Sequence, residues 1–383
     1  MAIIKLDNVG MAGINLDLPA YDLPPEVWSG GKNIRFINGR VKKMTGEESV
    51  FTAPDVTPRF LLPWESVGGY YWLFGDGNEL YRTDGTANTN VTRHTSTPGD
   101  NDYSGGANPI WTGGVFHGVP VLNNNGGSDY PQQWDFTTSR FKDLDNWPSG
   151  VYCKVMRLFK NFLVALNTVE GGDPYPYLVR WGHPADPGTV PTSWDETDAT
   201  KLAGTYPISQ GGGFIIDALP LFGSLLIYKS NAIWEMRPTG GLDVFRFTPL
   251  SFSHGLLAPR CVIEFRGRHF VVGTNDIYLY DGRTPQSVVS SRMRKAFFSA
   301  LSGADYDKTR VITFSPLREV WICFVSSSNV GGEIDTALIW NWETNTWTLK
   351  DMPEITAIGT GQVAIEGSSF DADTGTFDSA SDI

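Results

Sequence analysis

A two-part pattern that recurs six times along the chain is the feature that most constrains its fold. Each copy has a short β-hairpin turn, then a strand with an aromatic residue, then polar turn residues. Two copies align by eye, since residues 78–85 read NELYRTDG and residues 275–282 read NDIYLYDG. Each short repeated unit forms one small sheet that needs neighbours to bury its faces. The pattern therefore predicts an all-β chain folded as a β-propeller of degenerate blades.

The positions of the turns and aromatic strands predict the blades individually. The hairpin turns are expected at Gly68-Gly69, His117-Gly118, Lys160-Asn161, Phe222-Gly223, Arg266-Gly267 and Leu317-Arg318. The aromatic anchors that follow are Tyr81, Trp134, Trp181, Trp234, Tyr278 and Trp340. Their intervals of about 50 residues match the length of a four-stranded blade. We expect the anchor tryptophans to pack between blades.

The two ends of the chain predict how the ring closes. Residues 33–39 look like the second half of a unit, and residues 355–367 look like a first half. Joining them predicts a composite N/C-terminal blade that removes open sheet edges, which are otherwise a liability. Seven blades are favoured, and six are the alternative. The chain then divides into an extended N-terminal arm, residues 1–32, and a propeller with loop insertions, residues 33–383.

One segment of the propeller has helical periodicity. In residues 287–302, the apolar residues Met293, Ala296, Phe297 and Ala300 recur at helical spacing. This predicts one short helix, which either caps its own blade or meets a partner.

Composition excludes several classes of protein. The net charge of −12 offers no basic groove to attract nucleic acid. The three cysteines form no CxxC pair, which indicates buried free thiols. The N-terminus has no signal-peptide apolar region, and the most apolar run, residues 219–228, is too short to span a bilayer. We expect a protein made in the cytoplasm that does not insert into a membrane.

Catalytic and metal-binding patterns are weak throughout. The five histidines lack metal-ligand spacing, and no G-x-S-x-G elbow occurs. The acidic turns at residues 100–102 and 371–375 lack the distal Glu of a Ca²⁺ loop. A sialidase-type box is approached once, incompletely, at residues 373–377. The prediction is a protein that is not an enzyme and needs no metal or cofactor.

The N-terminal region carries the most specific motif. An acidic arm with D-L-P at residues 22–24 and Trp28 precedes N-x-R-F-x-x-G at residues 33–39. Two lysines, Lys42 and Lys43, follow. This part resembles the start of tail nozzle proteins of short-tailed bacteriophages, which are also called packaged-DNA stabilisation or tail-tube proteins.

The resemblance implies a structural virion protein that forms a ring of identical subunits, usually six, below the portal and adaptor rings. The ring would be assembled in the host cytoplasm and would lie in the virion tail. It would retain packaged double-stranded DNA and conduct it during ejection without specific binding. The excess negative charge fits this role, because carboxylates repel the phosphates of passing DNA.

Two sets of residues are predicted to make contacts. The arm is expected to meet a neighbouring subunit or the adaptor through Ile14, Leu16, Asp17, Tyr21, Asp22, Leu23 and Trp28. Loops 96–108 and 183–200 are expected to form the channel constriction or to dock a tail needle or fibre. Their acidic residues are Asp100, Asp102, Asp186, Asp195, Glu196 and Asp198.

Three other functions stay open. A carbohydrate- or receptor-binding propeller of the tail would stack sugars on aromatic residues in loops 123–134 and 167–182. A glycan hydrolase would need paired carboxylates at the ring centre. A cellular propeller scaffold is the third. Ring formation would distinguish the nozzle function from all three. Affinity for host polysaccharide would indicate the sugar-binding propeller, and turnover of a glycan would indicate the hydrolase.

Overall fold

Six four-stranded antiparallel sheets and one two-stranded hairpin make up the described part of the protein. The computed structural model describes residues 9–93, 102–106, 108–125, 128–241, 243–289 and 292–362. In each four-stranded sheet the strands are consecutive in sequence and pair in order. Each sheet is therefore one blade, and the fold is a six-bladed β-propeller.

The hairpin and the first three blades come first along the chain. The hairpin consists of β1 (Ile34–Ile37) and β2 (Arg40–Lys43). Blade 1 consists of β3 (Phe60–Ser66), β4 (Gly69–Gly75), β5 (Leu80–Thr83) and β6 (Asn88–Asn90). Blade 2 consists of β7 (Trp111–Phe116), β8 (Val119–Asn124), β9 (Gln132–Asp135) and β10 (Arg140–Asp143). Blade 3 consists of β11 (Val151–Phe159), β12 (Phe162–Glu170), β13 (Asp173–Trp181) and β14 (Gly204–Pro207).

The remaining blades and one α-helix follow. Blade 4 consists of β15 (Ile215–Leu221), β16 (Ser224–Lys229), β17 (Ile233–Pro238) and β18 (Phe245–Ser251). Blade 5 consists of β19 (Val262–Phe265), β20 (Arg268–Val272), β21 (Ile277–Tyr280) and β22 (Pro285–Ser287). The helix α1 (Arg294–Ala300) precedes blade 6. Blade 6 consists of β23 (Arg310–Phe314), β24 (Glu319–Phe324), β25 (Ile334–Asn341) and β26 (Thr346–Ile355).

The first strand of each blade is the inner one. From blade 1 to blade 6, the first strands of consecutive blades contact one another, as expected of strands around a central channel. All six predicted hairpin turns lie between the first and second strands of a blade. All six aromatic anchors lie on third strands. Both predictions are confirmed.

The anchor tryptophans fill the space between blades, as predicted. The ring centroid of Trp134 in blade 2 lies 4.8 Å from that of Trp64 in blade 1. Trp181 of blade 3 contacts Phe245 of blade 4 in an edge-on geometry at 5.3 Å. Such pairs of aromatic rings contribute beyond the area they bury. Neighbouring blades are thus joined by aromatic packing.

The ring has six blades, so the favoured count of seven was wrong and the alternative is confirmed. Residues 34–43 pair with themselves as the β1–β2 hairpin and do not complete a blade. Residue 355 ends β26, a long outer strand that already belongs to blade 6. No composite blade therefore forms in the described ranges. Residues 363–367 of its predicted first half lie outside them.

The ring closes between blade 6 and blade 1 through side chains and the segment after β26. Arg59, just before β3, forms an ion pair of 2.8 Å with Glu333, just before β25. The indole N–H of Trp72 donates to the carbonyl of Gln362 at 2.8 Å. The backbone N–H of Gln362 in turn donates to the Tyr70 hydroxyl. The C-terminal segment thus lies along β4 of blade 1.

Two smaller predictions compare with the structure as follows. The predicted helix exists but is short, with Met293 and Phe297 buried against the core. The predicted loop 167–182 lies mostly in β12 and β13, two nine-residue strands that a tight turn joins. All three cysteines are free and buried, as expected.

Candidate functional site: the N-terminal arm

The base of the N-terminal arm is built into the propeller. Ile14 is fully buried in a core cluster, and its backbone N–H donates to the carbonyl of Trp347 on β26 at 3.2 Å. Gly13 has a φ of +73°, and a Cβ there would lie 2.9 Å from the Cβ of Thr346. Only glycine fits this position without strain. The base therefore runs tightly along the outer strand of blade 6.

The next residues attach the arm to helix α1. The backbone N–H groups of Leu16 and Asp17 both donate to the carbonyl of Arg292. The carboxylate of Asp17 accepts the backbone N–H of Ala296 at 3.0 Å and that of Lys295 at 3.3 Å. A carboxylate satisfies the unpaired N–H groups of a first helical turn. Asp17 thus anchors the arm to its own chain.

The arm then turns back on itself, and Trp28 closes the turn. The N–H of Trp28 donates to the carbonyl of Gly13 at 2.9 Å, and the N–H of Asn15 donates to the carbonyl of Trp28. The Trp28 indole packs edge-on against Phe36 of β1, with 6.1 Å between ring centroids. Residues 18–26 are therefore held at both ends.

Residues 18–26, which we call the arm tip, project from the propeller. The side chain of Tyr21 is 86% exposed and that of Leu18 is 45% exposed. A 3₁₀ turn, Ala20–Asp22, forms the centre of the tip. Pro19, Pro24 and Pro25 restrict its backbone. The tip presents an apolar side chain and an aromatic ring to solvent on a braced loop.

The N-x-R-F-x-x-G motif has an identifiable structural role. Arg35 forms a two-point ion pair with Glu319 of β24, at 2.8 and 3.4 Å, and Phe36 is buried in the core. Asn38 and Gly39 form the β1–β2 turn with positive φ at both positions, as a type I′ turn requires. The motif docks the hairpin against blade 6.

Asn33, the first residue of this motif, continues the attachment. Its N–H donates to the carbonyl of Leu349 at 2.8 Å, and its side-chain oxygen accepts the N–H of Asp351. Lys32 forms an exposed ion pair with the Asp351 carboxylate at 2.7 Å. The hairpin therefore extends blade 6 on its outer side beside β26.

The predicted arm residues divide into two groups. Ile14 is buried within its own chain, and Leu16, Asp17 and Trp28 are partly buried against it. Tyr21 and Asp22 are exposed at the tip, where Leu23 is half-buried. Contact with a neighbouring subunit or adaptor stays a prediction, and the tip is where it can occur. Removing residues 13–32 would also expose part of the core.

The second predicted set consists of the acidic residues of loops 96–108 and 183–200. Loop 183–200 connects β13 to the outermost strand β14 and crosses towards blade 2. Trp194 packs on Trp147 at 4.6 Å, and the Ala185 N–H donates to the carbonyl of Asn161. The side chains of Asp102 and Asp186 are exposed, whereas Asp100 lies outside the described residues.

Two carboxylates of loop 183–200, those of Asp195 and Asp198, stabilise their own turns. Asp195 accepts the hydroxyl and N–H of Thr197, and Asp198 accepts those of Thr200. These hydrogen bonds lower the pKa of both carboxyl groups. Glu196 accepts the hydroxyl of Thr205. The loop is therefore an ordered, negatively charged surface at neutral pH.

The described ranges contain no cluster of three or more His, Cys, Asp or Glu residues that could hold a metal ion. The acidic turn at Asp371 and Asp373 lies outside those ranges. No helix among the described residues has the length and apolar character needed to cross a bilayer.

Sequence reasoning missed two features. One is the surface on which the arm docks, formed by the carbonyl of Arg292 and the first turn of α1. The other is a group of charged residues at the propeller centre, Arg157, Asp217, Arg260 and Arg310. The charged group could have been predicted from the sequence, because its members lie within or beside first strands that are otherwise apolar.

Comparison with known proteins gives structural neighbours only. No family model matches the chain, and no curated protein matches it. Two solved structures are similar to it at 11% identity, both extracellular domains from B. thetaiotaomicron. One is described as from the one component system BT4673, with a TM-score of 0.48 over 83% of this chain and 39% of that one. The other is described as from the hybrid two component system BT3049, with a TM-score of 0.43 over 82% and 36%.

A third neighbour is PorZ, a surface component of the type-IX secretion system of Porphyromonas gingivalis. The identity is 11% and the TM-score is 0.40, over 82% of this chain and 35% of PorZ. The chain thus spans well under half the length of each of these three neighbours.

Proposed function

We propose that this protein is a subunit of the tail nozzle ring of a short-tailed bacteriophage. The ring lies below the portal and adaptor, surrounds the DNA exit channel, retains packaged DNA and conducts it during ejection. The observation that carries the proposal is the arm, whose base is fixed to blade 6 and whose tip exposes Leu18 and Tyr21. The arm and the β1–β2 hairpin that follows it carry the sequence motif that resembles nozzle proteins.

The arm tip has the properties of a contact between subunits. In a ring of identical subunits each interface joins two different surfaces of the same chain, so one projecting element can serve every interface. Burying Leu18 and Tyr21 against a neighbour removes apolar surface from water at about 25 cal/mol per Å². Because the tip is braced at both ends, little conformational entropy is lost on binding.

The charge of the protein supports a role next to DNA that passes without adhering. Each chain carries a net charge of −12, and a ring multiplies this by its number of subunits. Asp195 and Asp198 contribute to this charge, and hydrogen bonds lower the pKa of their carboxyl groups. An acidic surface repels phosphates and avoids the strong, salt-dependent adhesion of a basic one.

A double substitution at the arm tip tests the proposal. We expect Leu18→Ser with Tyr21→Ser to leave a folded monomer that no longer forms a ring with the portal and adaptor proteins of the same phage. Native mass spectrometry of the wild-type mixture should show a discrete ring. The matched control is Phe222→Ser, which removes a 76% exposed aromatic residue from the blade 4 hairpin turn. A wild-type protein that stays monomeric with every adaptor, or a tip variant that assembles normally, contradicts the proposal.

A carbohydrate-binding propeller is the second candidate. Tyr130 and Tyr152 stack with 5.3 Å between centroids and 23° between planes, beside the predicted sugar-binding loop 123–134. Both rings are partly exposed, and aromatic faces of this kind stack on sugars. Retention of the protein on host polysaccharide, lost on Tyr130→Ala, would favour this function. A glycan-turnover assay on the same material tests for a hydrolase.

A further inference from the structure

A cavity of about 440 Å³ lies at the centre of the propeller. First strands of blades 2 to 5, β23 of blade 6 and the C-terminal segment line it. Its apolar walls include Leu158, Leu219 and Ile312. Three arginines and one aspartate also line it.

The single carboxylate that lines this cavity, that of Asp217, already accepts several hydrogen bonds. Arg157 forms a two-point ion pair with Asp217, with both N–O distances at 2.7 Å. The backbone N–H groups of Ala218 and Arg260 also donate to the Asp217 carboxylate, at 2.7 and 3.0 Å. The Asp217 side chain is 1% exposed. Its negative charge is therefore committed to Arg157 and to the backbone.

Arg260 adds a second positive charge without a carboxylate of its own. Its guanidinium crosses the channel and donates to the carbonyl of Trp111 in blade 2. Its φ of +65° is rare for a residue other than Gly or Asn, so tertiary contacts must hold it there. Burial lowers its pKa, and repulsion from Arg310 and Arg157 lowers it further.

Arg310 adds the third positive charge, and some of its N–H groups donate no hydrogen bond within the described residues. The residue is 6% exposed. Among the described residues, no atom accepts a hydrogen bond from its Nε or Nη1. Buried donors in native proteins nearly always have a partner, and an uncompensated buried guanidinium is costly. The unsatisfied edge of Arg310 is thus suited to an acceptor that carries negative charge.

Other charged groups near Arg310 are mostly paired. Arg59 is bound to Glu333, and Lys308 is bound to Asp305 at 3.1 Å. Asp307 lies in the adjoining pocket that Arg310 also lines. The central group of Arg157, Arg260, Arg310 and Asp217 therefore holds more positive than negative charge, although the chain as a whole is acidic.

We propose that this cavity binds a small oxyanion, either a phosphate or a carboxylate, through Arg310 and Arg260. The planar guanidinium donates two parallel hydrogen bonds to such an anion. The apolar walls leave room for a small organic body attached to it. Because Arg310 is buried, ionic strength screens its attraction for an anion less than it screens a surface contact. The proposal concerns a single chain and does not depend on ring assembly.

Direct binding to the purified full-length protein is the first measurement. Inorganic phosphate and succinate serve as separate probes in isothermal titration calorimetry, with chloride holding the ionic strength constant. We expect saturable binding of one anion per chain and a melting temperature that rises with its concentration. Preference for one probe identifies the source of the oxyanion. Absence of saturable binding by both probes overturns the proposal.

Two arginine variants locate the site. We expect Arg310→Gln to weaken binding about tenfold to hundredfold, the effect of one or two charge-assisted hydrogen bonds. The matched control, Arg237→Gln, removes a 65% exposed arginine from β17 and should bind as the wild type does. Equal affinity of the two variants would place the anion elsewhere and overturn the assignment.

The melting temperature without anion separates ligand binding from a structural role. Since Arg310 carries unsatisfied buried donors, we expect Arg310→Gln to melt at or above the wild-type temperature in chloride and to lose the rise with phosphate. Arg310→Lys, which keeps the charge, provides a second variant should the glutamine protein fail to fold. A variant that melts far below the wild type but keeps the full anion-dependent rise contradicts the proposal.

Discussion

At the residue scale, His269 shows how the fold selects one protonation state. The imidazole is fully buried in blade 5. Its Nε2 lies 3.0 Å from the carbonyl of Pro220, which can only accept, so Nε2 carries the proton. Its Nδ1 therefore accepts the hydroxyl of Tyr228 at 2.7 Å. The neutral ring joins blade 5 to blade 4, and protonation would oblige the Tyr228 hydroxyl to accept a hydrogen bond from Nδ1 instead of donating one.

This arrangement predicts a pH-dependent stability. Burial lowers the pKa of His269 to about 4, whereas the unfolded chain takes up the proton near 6.5. The free energy of unfolding should fall by up to about 3 kcal/mol as the pH drops from 6.5 to 4, because only the unfolded state binds the proton there. Urea unfolding at pH 7 and pH 4.5 measures this loss.

The variant His269→Gln should show a smaller loss over the same pH interval than the wild type. His254→Gln is the control, since that ring is partly exposed and bonded to serine hydroxyls. An equal loss in the wild type and His269→Gln would show that other groups cause the pH dependence.

At the element scale, the turns and aromatic strands were predictable and the pairing of the ends was not. Hairpin signals such as His117-Gly118 act within a few residues, so they can be read locally. The sequence at residues 33–39 has the same strand-and-turn character whether it completes a blade or stands alone. Its docking depends on Leu349, far along the chain. The residues around the hairpin therefore do not show which distant strand it docks on.

The docking of the β1–β2 hairpin predicts an asymmetry between two ion pairs. The Arg35–Glu319 pair is buried, with side-chain exposures of 12% and 3%. Arg35→Met should cost about 3–5 kcal/mol, because it leaves the Glu319 carboxylate buried and unpaired. Lys32→Met breaks an exposed pair and should cost less than about 1 kcal/mol. Denaturant unfolding of both variants compares them, and equal costs would show that the hairpin is not anchored through Arg35.

At the scale of the whole molecule, the ring is closed without a shared sheet. Blade 1 and blade 6 are each complete, and the segment after β26 joins them by packing Ile358 on blade 6 and bonding Gln362 to blade 1.

The residues of the contact sites were only partly predictable from the sequence. The apolar residues of the arm predicted that it makes contacts. The sequence does not show whether Ile14 and Tyr21 contact their own chain or another, because this depends on which surfaces the folded propeller presents. The central arginines, Arg157, Arg260 and Arg310, come from three separate parts of the sequence.

The closing segment predicts a difference between two truncations. A chain that ends at Ile355 loses the packing of Ile358 and the hydrogen bonds of Trp72 and Tyr70 with Gln362, and should be about 2 kcal/mol less stable. A chain that ends at Gln362 keeps all of these contacts and should be more stable than the chain that ends at Ile355. Urea unfolding compares the three proteins. Equal stability of the two truncations would show that the segment does not hold the ring closed.

The attachment of the arm to the last blade also sets an order of events during synthesis. Asn33 and its partner Asp351 lie 318 residues apart. A ribosome adding roughly 5–20 residues per second needs about 15–60 s to cover that distance. Throughout this interval the first blades can form while Ile14 and the β1–β2 hairpin have no surface to dock on. Ile14 and the β1–β2 hairpin are thus synthesised long before the strand on which they dock.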